Sequence, residues 1–239
     1  MNLRVKFTKE NYLKYISHLD LMRLFKRAFR RGQMPIKYSQ GFNAQPKLSI
    51  ANPLALGIES IEEYMDIDLN KKIPEEEFIK IMNKELPEDI RILDVKYLDN
   101  KKSISSQIRW GYYQIKVRIG KIKDVKLLES LIKEWLDKDQ IIIKKIKRKR
   151  KKIIEKDKDI KHLIGNVTIS SEEKVKLSDS EYLVTINCLL RAGDNGNLKP
   201  TDFLEGMDKY IDVDIDMDSA DIKRLNMFSE EKGEIKKPM

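Results

Sequence analysis

The sequence predicts an α+β fold with two ferredoxin-like (split βαβ) halves, each an antiparallel sheet with helices on one face. Apolar residues alternate with polar ones at Leu3, Val5 and Phe7, which is the period of a half-buried strand. A helical apolar period follows from residue 16, and the strand–helix–strand order then continues along the chain. The second half repeats this element order without a residue-level repeat.

The first predicted helix covers residues 16–33 and has two opposite faces. Ser17, followed three residues later by Asp20, resembles a capping box, and Gly32 suits the helix end. One face is apolar and contains residues at helical spacing, namely Leu21, Leu24, Phe25, Ala28 and Phe29. The opposite face contains cations at the same spacing, namely Arg23, Lys26, Arg27, Arg30 and Arg31. We therefore expect one face to pack and the other to form a cationic stripe.

The remaining elements follow from the same patterns. Further strands of the first half are predicted at 47–51, 62–70 and 90–99, and a helix covers 74–86. In the second half strands are predicted at 110–120, 140–152, 159–170, 181–193 and 220–228, with helices at 124–139 and 199–211. The predicted domains are 1–102, with a Gly/Pro/Asn-rich loop, and 107–228, with a basic strand or hairpin. Residues 229–239 are predicted to form a flexible tail.

Composition argues against several classes of function. No apolar run approaches the roughly 20 residues that span a bilayer and no signal peptide is recognisable, so we expect a cytoplasmic protein without membrane contact. The single cysteine, Cys188, lies in an apolar run and is expected to be a buried, inert thiol. Since His18 and His162 are far apart in sequence, we predict no metal centre and no cofactor.

Positive charge is concentrated locally. The net charge is +9, and residues 141–162 carry eleven Lys/Arg against three Asp/Glu, leaving 37 basic and 36 acidic groups elsewhere. This run and the helix stripe favour a polyanion, and RNA rather than duplex DNA because no recognition-helix motif is present. A solvated hairpin tip is the alternative interpretation of the run. The predicted RNA-binding residues are Arg23, Lys26, Arg27, Arg30, Arg31, Lys144, Lys145, Lys147, Arg148, Lys149, Arg150, Lys151 and Lys152.

The segment Tyr38–Gly57, YSQGFNAQPKLSIANPLALG, is rich in turn-forming residues. Glycine and asparagine suit positive φ, and proline stiffens the exit of a turn. Its unionised polar groups suit hydrogen-bonding recognition on a rigid loop, which we predict to comprise Ser39, Gln40, Gly41, Phe42, Asn43, Gln45 and Pro46. Aromatic residues that either stack on unpaired bases or belong to the core are Tyr38, Phe42, Trp110, Tyr112 and Tyr113.

The single candidate for a catalytic role is His18, near the start of the first helix. A histidine there can act as a general acid or base because its ordinary pKa is near neutrality. The alternative is a capping-region histidine bonded to the backbone.

The segment Tyr15–Leu69 resembles the radical-SAM-linked protein family of bacteria, and RAGDNGNLKP at Arg191–Pro200 extends the resemblance. Proteins of that family are typically encoded beside, or fused to, a cobalamin-type radical SAM enzyme, often near genes for ribosomal proteins and an RNase. The resemblance implies a radical SAM enzyme and tRNA or rRNA as partners. Because the enzyme's cluster needs three cysteines and this chain has one, the partner would supply it. Family members commonly have proline and histidine where this chain has Ala44 and Gln45, so a histidine role at that position is not general.

Three functions remain open from the sequence. The first is a non-catalytic RNA-binding or substrate-presenting partner of a radical SAM RNA-modifying enzyme, in which case the chain is not an enzyme on its own. The second is a metal-independent endoribonuclease similar to the CRISPR repeat-processing enzymes, with His18 and the glycine loop Gly193–Asn197 as counterparts. The third is a protein-interaction scaffold whose acidic segments dock a basic partner.

Overall fold

The computed structural model describes residues 1–99, 102–122, 124–149, 152–170, 175–178 and 180–239, with side chains throughout except at 146–149 and 152–154. The fold is α+β, as predicted, with mostly antiparallel strand pairing and a few helices. The chain divides into two units: unit 1 comprises Met1–Gly111, Ala192–Asp194 and Lys223–Met239, and unit 2 comprises Tyr112–Arg191 and Asn195–Ile222. None of the helices in the described ranges combines the length and apolar character needed to cross a membrane.

Unit 1 begins with β1 (Asn2–Lys9), a 3-10 helix (Asn11–Tyr15), α1 (His18–Arg31), β2 (Leu48–Ile50) and β3 (Ile58–Asp68). It continues with α2 (Glu75–Glu85), β4 (Ile92–Leu98) and the short helix α3 (Ile104–Gln107). β1 pairs antiparallel with β3 and β4, and β2 pairs antiparallel with β3, which gives the order β4-β1-β3-β2.

The predicted apolar face of α1 forms part of the unit 1 core. Four of its members, Leu21, Phe25, Ala28 and Phe29, are buried, and Leu24 packs against the same core while partly exposed. The ring of Phe25 meets Phe7 of β1 edge-on at a centroid distance of 5.0 Å. This packing fixes the rotation of α1 and therefore the direction in which its cationic face points.

Unit 2 contains most of β5 (Ile108–Ile119), then α4 (Val125–Leu136), β6 (Ile142–Lys149), β7 (Lys152–Asp159) and a 3-10 helix (Lys161–Leu163). Next come β8 (Ile164–Ile169), β9 (Val175–Lys176), β10 (Tyr182–Arg191), α5 (Pro200–Ile211) and the first part of β11 (Ile215–Glu231). The order of its longer strands is β11-β5-β10-β8. β6 and β7 form a separate two-stranded antiparallel sheet, whereas the predicted strands at 140–152 and 159–170 leave out most of β7, in which charged residues replace an apolar pattern.

The C-terminal segment belongs to unit 1. β11 continues to Glu231, and β12 (Glu234–Lys236) pairs back on it. Beyond β12, Arg4 Nη1 donates to the carbonyl of Pro238 at 3.0 Å, and Met239 packs against a core cluster that includes Tyr64. Residues 229–239, expected from the sequence to be a flexible tail, therefore make defined contacts with the unit.

Candidate nucleic-acid interface

The cationic face of α1 consists of Arg23, Lys26, Arg27, Arg30 and Arg31. The helix begins where the Ser17 hydroxyl accepts a hydrogen bond from the backbone N–H of Asp20 at 3.2 Å, as the capping pattern predicts. It ends at Gly32, whose N–H donates to the carbonyl of Ala28 at 2.9 Å. A Cβ at Gly32 would lie 2.9 Å from Cγ2 of Ile81, so close packing against α2 also favours glycine there. The four arginines are exposed and Lys26 is half-buried.

These five cations differ in how strongly they are already paired. Arg23 Nη1 lies 2.9 Å from Asp20, and the pKa of that exposed carboxyl is lowered, first by the Ser17 hydroxyl and then by Arg23. Arg31 pairs with Glu85 of α2 at 2.9 Å. Within the described part of the chain, neither Arg27 nor Arg30 has a side-chain partner. These two arginines are available to an anionic ligand without breaking an ion pair.

Residues 38–46 form a loop, called here the 38–46 loop, whose two ends are joined by hydrogen bonds. Tyr38 and Pro46 form an isolated bridge, and Ser39 N–H donates to the carbonyl of Gln45 at 2.8 Å. In return Gln45 N–H donates to the Ser39 hydroxyl at 2.9 Å, and the Gln45 amide donates to Asn43 Oδ1 at 3.0 Å. Gly41, with φ +124°, turns the chain at the far end. The turn chemistry of the sequence thus produces a loop with a fixed base.

One hydrogen bond joins this loop to α1. Lys26 Nζ donates to Oε1 of Gln45 at 2.6 Å. Two features that the sequence presented as separate, the helix stripe and the polar loop, are therefore in contact. Phe42 stands at the loop end with its side chain fully exposed. Its ring is therefore accessible to a ligand or partner.

The described part of the basic run of the second half lies in unit 2, on β6 and at the start of β7. Lys145 forms an ion pair with Asp202 of α5, a buried carboxylate, whereas Lys144 is exposed and lies 3.6 Å from Glu155. Lys158, on β7, donates to the carbonyl of Asn197 at 2.9 Å, and burial is the main cause of its lowered pKa. The ammonium group of Lys145 is therefore already paired within unit 2, where it stabilises the packing of β6 against α5. Arg150 and Lys151 lie outside the described residues, as do the side chains of Lys147, Arg148, Lys149 and Lys152.

Most of the aromatic residues proposed for stacking are not available for it. Trp110 and Tyr113 are buried in the core and Tyr112 is half-buried, whereas Tyr38 is moderately exposed. The sequence reasoning missed two exposed rings, Tyr12 and Tyr15 of the 3-10 helix, together with the exposed Leu19 of α1. The detectable signal was the i, i+3 spacing of the tyrosines, which places both on one side of a 3-10 helix.

The surroundings of His18 and of the glycine loop bear on the alternative endoribonuclease function. Nδ1 of His18 is buried and has no hydrogen-bond partner in the described residues, so this nitrogen does not make the backbone bond of the alternative interpretation there. A Cβ at Gly193 would lie 2.5 Å from the carbonyl oxygen of Ile108, and one at Gly196 would lie 2.6 Å from Leu163 Cδ2. Packing therefore accounts for both glycines without a ligand.

No cluster of three or more His, Cys, Asp or Glu side chains suited to a metal ion is present within the described ranges. Cys188 is fully buried, and this burial raises the pKa of its thiol, as expected for an inert cysteine.

Comparison with known proteins places the chain in a family. No curated protein matches the sequence. A family model described as "Uncharacterized protein conserved in bacteria (DUF2344)" matches residues 2–200, and the chain belongs to this family.

Proposed function

We propose that the chain is a non-catalytic, cytoplasmic RNA-binding protein that presents tRNA or rRNA to a radical SAM RNA-modifying enzyme. The observation that carries the RNA-binding part is the contact between the cationic face of α1 and the 38–46 loop through Lys26 and Gln45, with Phe42 exposed at the loop end. Cations and an exposed ring on two elements in contact suit a nucleic acid, because phosphates pair with the cations and bases stack on the ring.

The partner enzyme is proposed from the sequence resemblance across Tyr15–Leu69, a range that contains both α1 and the 38–46 loop. The single cysteine supports this division of labour, since the chain lacks the thiolates for a radical SAM cluster. The same proposal includes a ferredoxin-like fold for each half. It is supported by the orders β4-β1-β3-β2 in unit 1 and β11-β5-β10-β8 in unit 2, which both follow the split βαβ pattern.

Charge reversal on α1 tests the RNA-binding part. The variant Arg23→Glu/Arg27→Glu/Arg30→Glu should bind fluorescently labelled RNA at least tenfold more weakly than the wild type. The slope of log Kd against log salt should fall by about 2, since each lost phosphate contact contributes about 0.7 on a single strand. The matched control changes the same number of charges at Lys71, Lys80 and Lys84, which are exposed cations of unit 1 outside α1 and the loop.

Equal affinities for the two triple variants would refute the assignment to α1. Co-purification of a radical SAM enzyme with the tagged chain before and after RNase treatment tests the partner. Retention after RNase indicates a protein–protein contact, and loss indicates that RNA bridges the two. The alternative is tested by incubating the chain with structured RNA in EDTA. If the RNA is cleaved and His18→Ala abolishes the cleavage, the chain is a metal-independent endoribonuclease and the non-catalytic proposal is wrong.

A further inference from the structure

The 3-10 helix before α1 presents two exposed tyrosines. The side chain of Tyr12 is 85% exposed and that of Tyr15 is 62% exposed. Because a 3-10 helix has three residues per turn, side chains three apart point the same way. Lys14 Nζ lies 5.5 Å from the centroid of the Tyr15 ring and also pairs with Glu59 at 3.5 Å, so a cation accompanies this ring.

The backbone beneath the two tyrosines is held from several directions. Gly57 N–H donates to the carbonyl of Lys14 at 2.9 Å, and Lys9 Nζ donates to the carbonyl of Ile16 at 3.1 Å. The Asn11 amide donates to Asp89 at 2.7 Å. The rings therefore project from a fixed support, which lowers the conformational entropy that a stacked ligand would have to remove.

The tyrosines adjoin the cationic face of α1 along the chain. Leu19, Arg23, Lys26 and Arg30 follow at spacings of four, three and four residues, so at 100° per residue they lie within a sector of about 60° on the helix. This sector begins at the exposed Leu19, four residues after Tyr15 ends the 3-10 helix, and extends along the axis for about 16 Å, since each residue rises about 1.5 Å. Lys26, within it, is the residue that contacts the 38–46 loop.

Exposed aromatic rings that precede a line of cations along the chain fit one class of nucleic acid. Unpaired bases can stack on a protein ring, and this contributes roughly 5- to 150-fold in affinity per base. Bases within a duplex are already stacked and paired, so a duplex would use the cations and leave the rings uncovered. We infer, on the basis of the proposed RNA-binding function, that the ligand is a single-stranded RNA segment whose bases stack on Tyr12 and Tyr15 while its phosphates follow α1.

The test compares two RNA probes that have the same nucleotides and the same label, one single-stranded and one a blunt hairpin. The variant Tyr12→Ala/Tyr15→Ala should bind the single strand at least tenfold more weakly, with an unchanged salt slope and little change for the hairpin. The control Tyr12→Phe/Tyr15→Phe keeps both rings and should bind like the wild type. Circular dichroism and unfolding by urea show that the variants are folded.

Several outcomes would overturn this inference. If the alanine variant binds the single strand like the wild type while charge reversal on α1 weakens it, the stacking role fails and the RNA-binding proposal stands. Equal affinity of the wild type for the single strand and the hairpin would also refute the stacking role and leave the RNA-binding proposal standing. Loss of a co-purified protein in the alanine variant, with RNA affinity unchanged, would assign the tyrosines to protein docking. No binding of either probe by the wild type would refute both proposals.

Discussion

Replacing Arg224 by methionine should destabilise unit 1 by about 3–5 kcal/mol, because Glu63 would remain buried without its counter-charge. The Arg224 side chain is 1% exposed and that of Glu63 is 2% exposed. The guanidinium donates to the carboxylate three times, Nε to Oε1 at 2.8 Å and Nη2 to the two oxygens at 2.6 and 2.5 Å. It also donates twice to the carbonyl of Asn52, at 3.0 and 3.1 Å.

The expected magnitude follows from these contacts. Removing one partner of a buried ion pair costs about 3–5 kcal/mol, and unit charges about 4 Å apart attract by about 4 kcal/mol at an effective dielectric constant of 20. Methionine fills much of the volume of the arginine stem, so the cavity contribution stays small. The double variant Glu63→Gln/Arg224→Met removes both charges of the pair and should recover more than half of the loss, since no carboxylate is left buried without Arg224.

Tryptophan fluorescence during urea unfolding can report on unit 1 alone. Trp110 belongs to unit 1 and Trp135 to unit 2, so Trp135→Phe is introduced in every variant to leave one reporter. The control is Lys236→Met, which removes an exposed pair with Glu234 at 3.1 Å and should cost less than about 1 kcal/mol. The reasoning is refuted if Arg224→Met costs no more than this control. A double variant as unstable as the single one would show that the unpaired carboxylate of Glu63 is not the cause.

Three further predictions concern conformation, protonation and burial. Gly193→Ala should cost about 2 kcal/mol or more, because φ is +94° and the new Cβ would lie 2.5 Å from Ile108 O; Gly233→Ala, at φ +83° in open space, should cost about half as much. Urea unfolding measures the loss of unfolding free energy in each variant, and equal losses in Gly193→Ala and Gly233→Ala would contradict the prediction. Burial lowers the pKa of Lys9 from its ordinary 10.5, against the opposing effect of Glu63, so the unfolded chain binds more protons in the window below 10.5. Wild-type stability relative to Lys9→Met should therefore rise as the pH increases toward 10.5, and a parallel pH dependence of the two proteins would exclude this. The thiol of Cys188 should react with a thiol reagent only as fast as its surroundings open, since it is fully buried, and labelling at the rate of a free thiol would disprove the burial.

Local patterns predicted the elements that hold the candidate site. The apolar period of α1 predicted its buried side and hence its cationic side, and the Ser17 cap and Gly32 predicted its ends within two residues. Turn-forming residues indicated a rigid loop before β2. Such features depend on neighbours a few residues apart, so the sequence contains the relevant information directly.

These local patterns could not predict ion pairs between residues that are far apart in the chain. Arg4 and Asp66 stand 62 residues apart, and Arg224 and Glu63 stand 161 apart, yet both pairs are buried. A charged residue in an alternating strand predicts a solvent-facing side, and it becomes buried only when a specific opposite charge arrives from elsewhere in the chain. The contribution of the C-terminal segment to unit 1 was unexpected for the same reason.

By itself, the sequence determined the α+β composition, the amphipathic α1 and the turn chemistry of the 38–46 loop, because each is a local property of backbone and side-chain periodicity. Only the tertiary structure decided that Lys26 joins the loop to the helix, that Lys145 is occupied by Asp202, and which aromatic rings remain exposed. Exposure and pairing depend on which surfaces the folded chain brings together, and periodicity carries no information about that.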